Sequence, residues 1–285
     1  MSAPFDCSYF AAASLSEALA ALAEFGPEGA PLAGGTWTLR SDIRGEKRAP
    51  VQIGIARLVE LSSVATRSNQ IEIGAAVTHR VLAAATAPLS ELRALAQAAG
   101  RSANPGVRAL ATVGGNLATS AFAAADLVPA LLALEAVVEI SSKAGSDRMP
   151  LARFLELRDS LDRGTLLTRV FAPRRGGVSG HARLPMRKAG DYPAAIVSFA
   201  AERGGDGRIT RARVAVGSVE TVARRWPELE DALIGQLFEA KLAFDLAEAH
   251  AHVFTGRDGI DAPGWYRVSV LPTLVRRAVE AALAA

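Results

Sequence analysis

Two glycine pairs, each placed between a short apolar entry and a stretch of helical periodicity, constrain this chain more than any other feature. The first lies in LAGGTWTL, from Leu32 to Leu39, behind the strand-like run Ala30-Pro31-Leu32-Ala33. The second opens ATVGGNLATSAFAAADLVPALLALEA, from Ala111 to Ala136, behind the β-branched pair Thr112 and Val113. Within that second stretch Leu127, Leu131, Leu132 and Leu134 recur at helical spacing, which predicts a loop feeding a helix. Adjacent glycines remove two Cβ atoms in succession, so the backbone can take φ > 0 and bring its N–H groups against a ligand that a larger side chain would hold off. Gly34-Gly35 and Gly114-Gly115 therefore predict two turns able to close on one diphosphate. Neither carries a G-x-G-x-x-G spacing or a GK[ST] ending, so a Rossmann fold or a P-loop is not supported.

A chain of 285 residues, half of them hydrophobic and 21% charged, has enough apolar material for two or three packed units. The net charge of +3 is spread along the chain without a tract of like charges or interleaved aromatics, which argues against a nucleic-acid partner. A single cysteine, Cys7, excludes a disulfide framework, a four-cysteine zinc site and an iron–sulfur cluster within this chain. Any metal centre must then belong to a partner. Asp6 and Glu17 stand where a signal peptide would be apolar, and no run approaches the ~18 apolar residues of a membrane span. The expectation is a cytoplasmic chain without an integral membrane segment.

Ser14 three residues before Glu17 predicts a capped helix that runs through EALAALAEF to Gly26-Pro27, with a strand on either side. VQIGI (Val51 to Ile55) and QIEIGA (Gln70 to Ala75) alternate like strands, with a short helix or turn between them. Val77 to Ala85 and Glu91 to Ala99 predict helices, AVVEIS (Ala136 to Ser141) a strand, Met149 to Leu157 a strand end and short helix, and TLLTRVF (Thr165 to Phe171) a strand. RRGGVSG, Arg174 to Gly180, predicts a flexible basic linker at a domain boundary. Beyond it, three strand-like runs with a Gly-Asp-Gly turn at Gly205 to Gly207 predict an antiparallel meander, followed by helical stretches about Trp226 to Ala251 and Leu271 to Ala284.

No residue set marks a hydrolytic or metal site. His79, His181, His250 and His252 lack the H-E-x-x-H spacing, no nucleophile elbow is present, and the histidines are expected to be structural or exposed. Asp126 sits in the apolar run AAADLVPALL, where a helix N-cap competes with a ligand contact.

LAGGTWTL, TVGGNLATSAFAAADLVPALLAL, TLLTRVFAP, RKAGDYPAAIVSFA and WYRVSVLPTLVRRAVEAAL together resemble the FAD-binding medium subunit of the molybdenum hydroxylases, the xanthine dehydrogenase and carbon monoxide dehydrogenase family. The likeness spans nearly the whole chain. It implies an α+β fold: a two-lobed FAD-binding domain of the PCMH/VAO type over residues 1–175, with lobes of about 1–55 and 56–175, then a domain over 176–285 with a three-stranded antiparallel sheet and helices. It implies that Leu32, Ala33, Gly34, Gly35, Thr36 and Trp37, with Thr112, Val113, Gly114, Gly115 and Asn116, hold FAD, the diphosphate mainly through backbone N–H groups. Hydrogen bonds to a charged group contribute about 1.5–3 kcal/mol each, enough for several amides to hold a diphosphate without a dedicated cation. The resemblance also places Asp126 against sugar or ribityl hydroxyls, Leu167 and Lys188 near the cofactor, and Tyr192 over the isoalloxazine. It implies no catalytic residue here, with molybdopterin on a large partner subunit, 2Fe-2S clusters on a small one, and a dimer of heterotrimers.

This chain departs from the family pattern in places. Relatives have nine residues from the Asn of the second turn to the Asp, whereas Asn116 to Asp126 spans ten, and Phe122 stands near their usual Pro. Gly106-Val107-Arg108-Ala109 keeps only the hydrophobe and the arginine of Q-[IV]-R-N, and Trp37 replaces a polar residue. Two other functions stay open on sequence: a self-sufficient FAD oxidase of the vanillyl-alcohol-oxidase type, and a nucleotide-binding module without redox function.

Overall fold

A computed structural model describes residues 7–186 and 192–284. Its elements build three sheets in chain order. The first is parallel, with order β1-β3-β2, from β1 (Ser8–Ala11), β2 (Gly29–Leu32) and β3 (Val51–Gly54). Helix α1 (Leu15–Phe25) carries the chain from β1 to β2, the two strands that flank β3, and buries Ala18, Leu19, Ala21 and Leu22 against Ile53 and Ile55. The expected cap is present: Ser14 Oγ accepts the Glu17 N–H at 3.1 Å, and the Glu17 carboxylate accepts the Ala13 N–H at 2.6 Å.

The second sheet comprises β4 (Val64–Thr66), β5 (Gln70–Gly74), β6 (Val137–Ser142), β7 (Gly145–Pro150) and β8 (Leu166–Pro173), in the order β4-β5-β8-β6-β7 with every pair antiparallel. Between β5 and β6 the chain makes α2 (His79–Thr86), α3 (Arg93–Arg101), α4 (Pro105–Arg108), α5 (Val113–Ala118) and α6 (Leu127–Ala133); α7 (Leu151–Leu157) follows β7. All seven residues of α6 are buried, because it packs inside the core formed with Ile73, Val138 and Val170 on one side and against the third sheet on the other. A helix enclosed in this way has no polar face, which explains the run LVPALLA. The loop expected to feed a helix between Ala111 and Ala136 is itself partly helical: its glycines open the short α5, and a further loop leads from there into α6.

The third sheet has order β12-β11-β10-β9, from β9 (Val178–Pro185), β10 (Pro193–Arg203), β11 (Ile209–Gly217) and β12 (Arg224–Arg225), all antiparallel. Four strands stand where three were expected. The fourth is an arginine dipeptide with no apolar alternation to signal it; Arg224 is paired with Glu220 at 2.7 Å and Arg225 with Glu230. Helices α8 (Pro227–Leu233), α9 (Ala240–His250), α10 (Gly264–Ser269) and α11 (Leu271–Leu283) complete the unit, with Trp226, Phe199 and Val275 in its core. The expected basic linker is largely ordered structure. Strand β9 begins at Val178, Arg174 pairs with Glu91 at 2.9 Å, and Arg175 pairs with Glu135. No helix among the described residues is long and apolar enough to cross a membrane.

Candidate functional site

The two glycine turns meet at a cavity of about 590 Å³ that draws on all three sheet-bearing units. That size is ordinary for a cofactor or small-molecule site. From the first turn Ala33, Gly34, Gly35, Thr36 and Trp37 line it; from the second, Thr112, Gly114, Gly115 and Asn116. Asp126, Leu167 and Tyr192 line it as well. Leu32 and Val113 do not. Leu32 ends β2 and its carbonyl accepts the Ile55 N–H at 3.0 Å, while Val113 is fully buried and its N–H donates to the Val77 carbonyl at 2.9 Å. Lys188 lies outside the described residues.

The first turn is a close crossing of two chain segments. A Cβ on Gly34 would stand 1.9 Å from the Leu110 carbonyl oxygen and 2.7 Å from its carbon, so only glycine lets this turn lie against the segment that leads into the second. Gly35 takes the left-handed conformation, φ 67°. Among the described residues, the N–H groups of Gly34, Gly35 and Thr36 have no protein acceptor. They form a set of free donors on the cavity wall.

The second turn differs from expectation. Gly114 and Gly115 do not take φ > 0; they lie in the first turn of α5, capped by Thr112. Gly114 donates to the Ala75 carbonyl at 2.8 Å, Gly115 to Thr112 Oγ1 at 3.2 Å, and Asn116 to the Thr112 carbonyl at 3.0 Å. These amides are already engaged. A pair of glycines also suits close packing, which is the use made of Gly114: a Cβ there would be 2.8 Å from Ala75 Cβ. At Gly115 a Cβ would meet only the cap hydroxyl, at 3.0 Å. The Asn116 side chain caps the next helix, its Oδ1 accepting the Leu127 N–H at 3.2 Å.

Asp126 holds the N-cap position of α6 but makes no capping bond. Its Oδ1 instead accepts from Arg183 Nε at 2.8 Å and lies 3.6 Å from His181 Nε2, both carried by β9. Nearby, His79 is 2% exposed and lines the cavity, with Nδ1 2.7 Å from Ser102 Oγ and Nε2 unpartnered. Burial pushes its pKa down to about 4, outweighing the opposing charge of Asp126 and a Thr112 backbone contact. Arg158 also lines the cavity. It donates from Nη1 to the Leu117 carbonyl at 2.7 Å, its Nε is buried without a partner, and burial lowers its pKa. Neither His79 nor Arg158 has a neighbour in sequence that marks it, since each is brought to the cavity by the fold alone.

Three aromatic rings from distant segments form one cluster on the cavity wall. Trp37 and Phe122 have centroids 4.8 Å apart, Phe122 and Tyr192 5.0 Å, and the Arg44 guanidinium covers Trp37 at 3.9 Å. Trp37 thus packs on Phe122, the residue in the lengthened loop before Asp126. Pairs of this kind contribute about 0.5–1.5 kcal/mol beyond area burial. No group of three or more His, Cys, Asp or Glu residues able to hold a metal ion occurs among the described residues.

Free backbone donors at a glycine crossing, an adjoining aromatic wall and a buried acid define an α+β protein built around one extended ligand cavity. Comparison with known proteins gives its family. Residues 4–175 match the FAD binding domain in molybdopterin dehydrogenase, and residues 182–282 match the CO dehydrogenase flavoprotein C-terminal domain; the chain belongs to this family of flavoprotein subunits. It is 30% identical over 281 residues to the 6-hydroxypseudooxynicotine dehydrogenase complex subunit alpha of Paenarthrobacter nicotinovorans, covering 96% of this chain and 94% of that protein. It is 27% identical over 295 residues to the carbon monoxide dehydrogenase medium chain of Afipia carboxidovorans, covering 99% and 98%. Among solved structures, a chain of quinoline 2-oxidoreductase from Pseudomonas putida 86 superposes with a TM-score of 0.87 at 27% identity, covering 100% of this chain and 99% of that one.

Proposed function

We propose that the cavity holds FAD and that the chain is the electron-transfer subunit of a molybdenum-containing hydroxylase. The observation that carries this reading is the set of unsatisfied amides at Gly34, Gly35 and Thr36, on the wall of a cavity within a chain of the FAD-binding family. The residues fit the cofactor's parts. Amides without acceptors suit an anionic diphosphate, an aromatic cluster suits a flavin ring, and a buried carboxylate with an open oxygen suits a hydroxyl of the ribityl chain or ribose.

In this reading FAD supplies the redox chemistry, accepting electrons and passing them on. The chain's residues position and shield it. Gly34, Gly35 and Thr36 would donate to the diphosphate, Thr112 and Asn116 hold the second turn, and the cluster of Trp37, Phe122 and Tyr192 would flank the isoalloxazine. Arg158, on this wall with its Nη1 donating to the Leu117 carbonyl, adds positive potential for an anion, as do Arg40 and Arg163 on the same lining. Substrate oxidation belongs to a large molybdopterin subunit. Electrons arrive through 2Fe-2S clusters on a small subunit and leave to an external acceptor, in an assembly that we take to be a dimer of heterotrimers.

The test is anaerobic spectroscopy of the flavin with and without partner subunits. Alone, the chain retains FAD that organic substrates of the complex leave oxidised; in the complex, the same substrates bleach it. Bleaching by substrate in the isolated chain would replace the subunit reading with a self-sufficient oxidase.

A further inference from the structure

Asp126 is the only carboxylate among the described residues that both lines the cavity and is fully enclosed, at 2% exposed, and its two oxygens are treated differently. Oδ1 takes the Arg183 Nε hydrogen bond at 2.8 Å and faces His181 Nε2 at 3.6 Å; Oδ2 accepts from none of the described residues. Both groups on Oδ1 come from β9, the first strand of the C-terminal unit, whereas Asp126 belongs to the first. They are themselves anchored. His181 is fully buried, with its Nδ1 2.8 Å from Ser198 Oγ on β10 and its backbone N–H donating to Gln97 Oε1 at 2.9 Å, and Arg183 Nη1 donates to the Arg101 carbonyl at 2.9 Å.

We infer that Arg183 is a positioning residue that fixes the Asp126 carboxylate by one oxygen, with the His181 ring packed beside that oxygen without bonding it, and that the other oxygen is left to accept from the ligand, so that the C-terminal unit completes the cofactor site. A carboxylate free to rotate would lose conformational freedom on binding each ligand hydroxyl; one already held by a charge-assisted bond does not. The link is reciprocal: whatever strengthens the contact of β9 with Asp126 strengthens ligand binding, and bound ligand strengthens that contact in return. This inference rests on the reading of the cavity as an FAD site.

The experiment is a titration of full-length apoprotein with FAD, followed by quenching of flavin fluorescence, together with thermal unfolding of each apo form. Asp126→Asn, Arg183→Gln and His181→Gln are each expected to weaken binding roughly tenfold. The double variant of Asp126→Asn with Arg183→Gln is expected to bind no more weakly than either single one, because both remove the same contact. Arg183→Lys, which keeps the charge at a side chain only 12% exposed, serves where a buried substitution at His181 prevents folding, and should bind between wild type and Arg183→Gln. Additive losses in the double variant would make Arg183 a direct ligand and overturn the inference. So would lowered unfolding midpoints with unchanged FAD affinity. Wild-type protein that does not bind FAD would instead overturn the cavity reading itself, and this inference with it.

Discussion

Replacing Gly34 by alanine tests the crossing of the two turns with a single methyl group. The added Cβ would lie 1.9 Å from the Leu110 carbonyl oxygen and 3.2 Å from Ala111 Cα, and these neighbours are backbone, which cannot rotate away as a side chain can. The first turn must therefore move by more than 1 Å, roughly the shortfall from a normal carbon–oxygen contact. Overpacking usually costs about 1–3 kcal/mol, and a backbone obstacle places this case at the upper end. The displaced turn also carries the free amides. Losing one hydrogen bond to a diphosphate would remove about 1.5–3 kcal/mol of affinity, or about 10- to 150-fold in Kd. The assay is FAD titration by fluorescence quenching alongside urea unfolding, with Gly115→Ala as the comparison, where the new Cβ meets only Thr112 Oγ1 at 3.0 Å. Gly34→Ala that matches wild type in both FAD affinity and unfolding midpoint would refute the reasoning.

Gly115→Leu should fold but fail to retain FAD, since its Cβ meets no core atom and the longer side chain would take up cavity space; stoichiometric flavin in the purified variant would contradict this. His79, whose pKa is lowered from 6.5 to about 4, contributes stability that is present above its unfolded value and is lost as pH falls from about 6.5 to about 4, by up to about 3 kcal/mol. His79→Gln should flatten the stability curve in that window when urea midpoints are measured across it. Burial raises the Glu135 pKa, but the hydrogen bond from Arg213 and the charges of Arg213, Arg211 and Arg175 outweigh it and hold the carboxyl at about 2. Its contribution is present above the usual carboxylate range and disappears as pH falls from about 4.5 to about 2, so Glu135→Gln should cost about 1 kcal/mol at neutral pH and little in strong acid.

Local signals in the chain carried most of the fold, because they are one-dimensional. Ser14 and Glu17 cap a helix by spacing alone, Gly26 stops it, and the alternation in Val51 to Ile55 and Gln70 to Ala75 reports strands directly. What escaped depends on the third dimension. The short α5 at the glycines was not announced, because Gly114 and Gly115 are poor helix formers whose place there is set by packing against Ala75. β12 is a strand because Val216 and Ala215 lie beside Arg224 and Arg225, not because an Arg-Arg pair favours extension. The same divide runs through the site. Glycine pairs announced a close approach, and both turns do reach the cavity; yet whether a glycine serves a free amide, as at Gly34, or helix packing, as at Gly114, depends on which residue stands opposite. Asp126 was visible as a choice between cap and ligand contact, but its partners His181 and Arg183 are more than fifty residues away, and nothing local to either names Asp126. His79 gave no sequence signal for the cavity, since its place there follows from the bridge between Thr78 and Thr112.

On this reading the chain binds FAD in the cavity between its glycine turns and passes electrons through it. The most direct measurement is the flavin content of the purified chain combined with anaerobic reductive titration of its visible absorption band by dithionite. One FAD per chain is expected, with a complete two-electron bleach, recovery of the band on adding an acceptor dye, and loss of the band in Gly115→Leu. A chain that takes up no FAD when the cofactor is supplied in excess, or whose Gly115→Leu variant keeps a full complement, would contradict it.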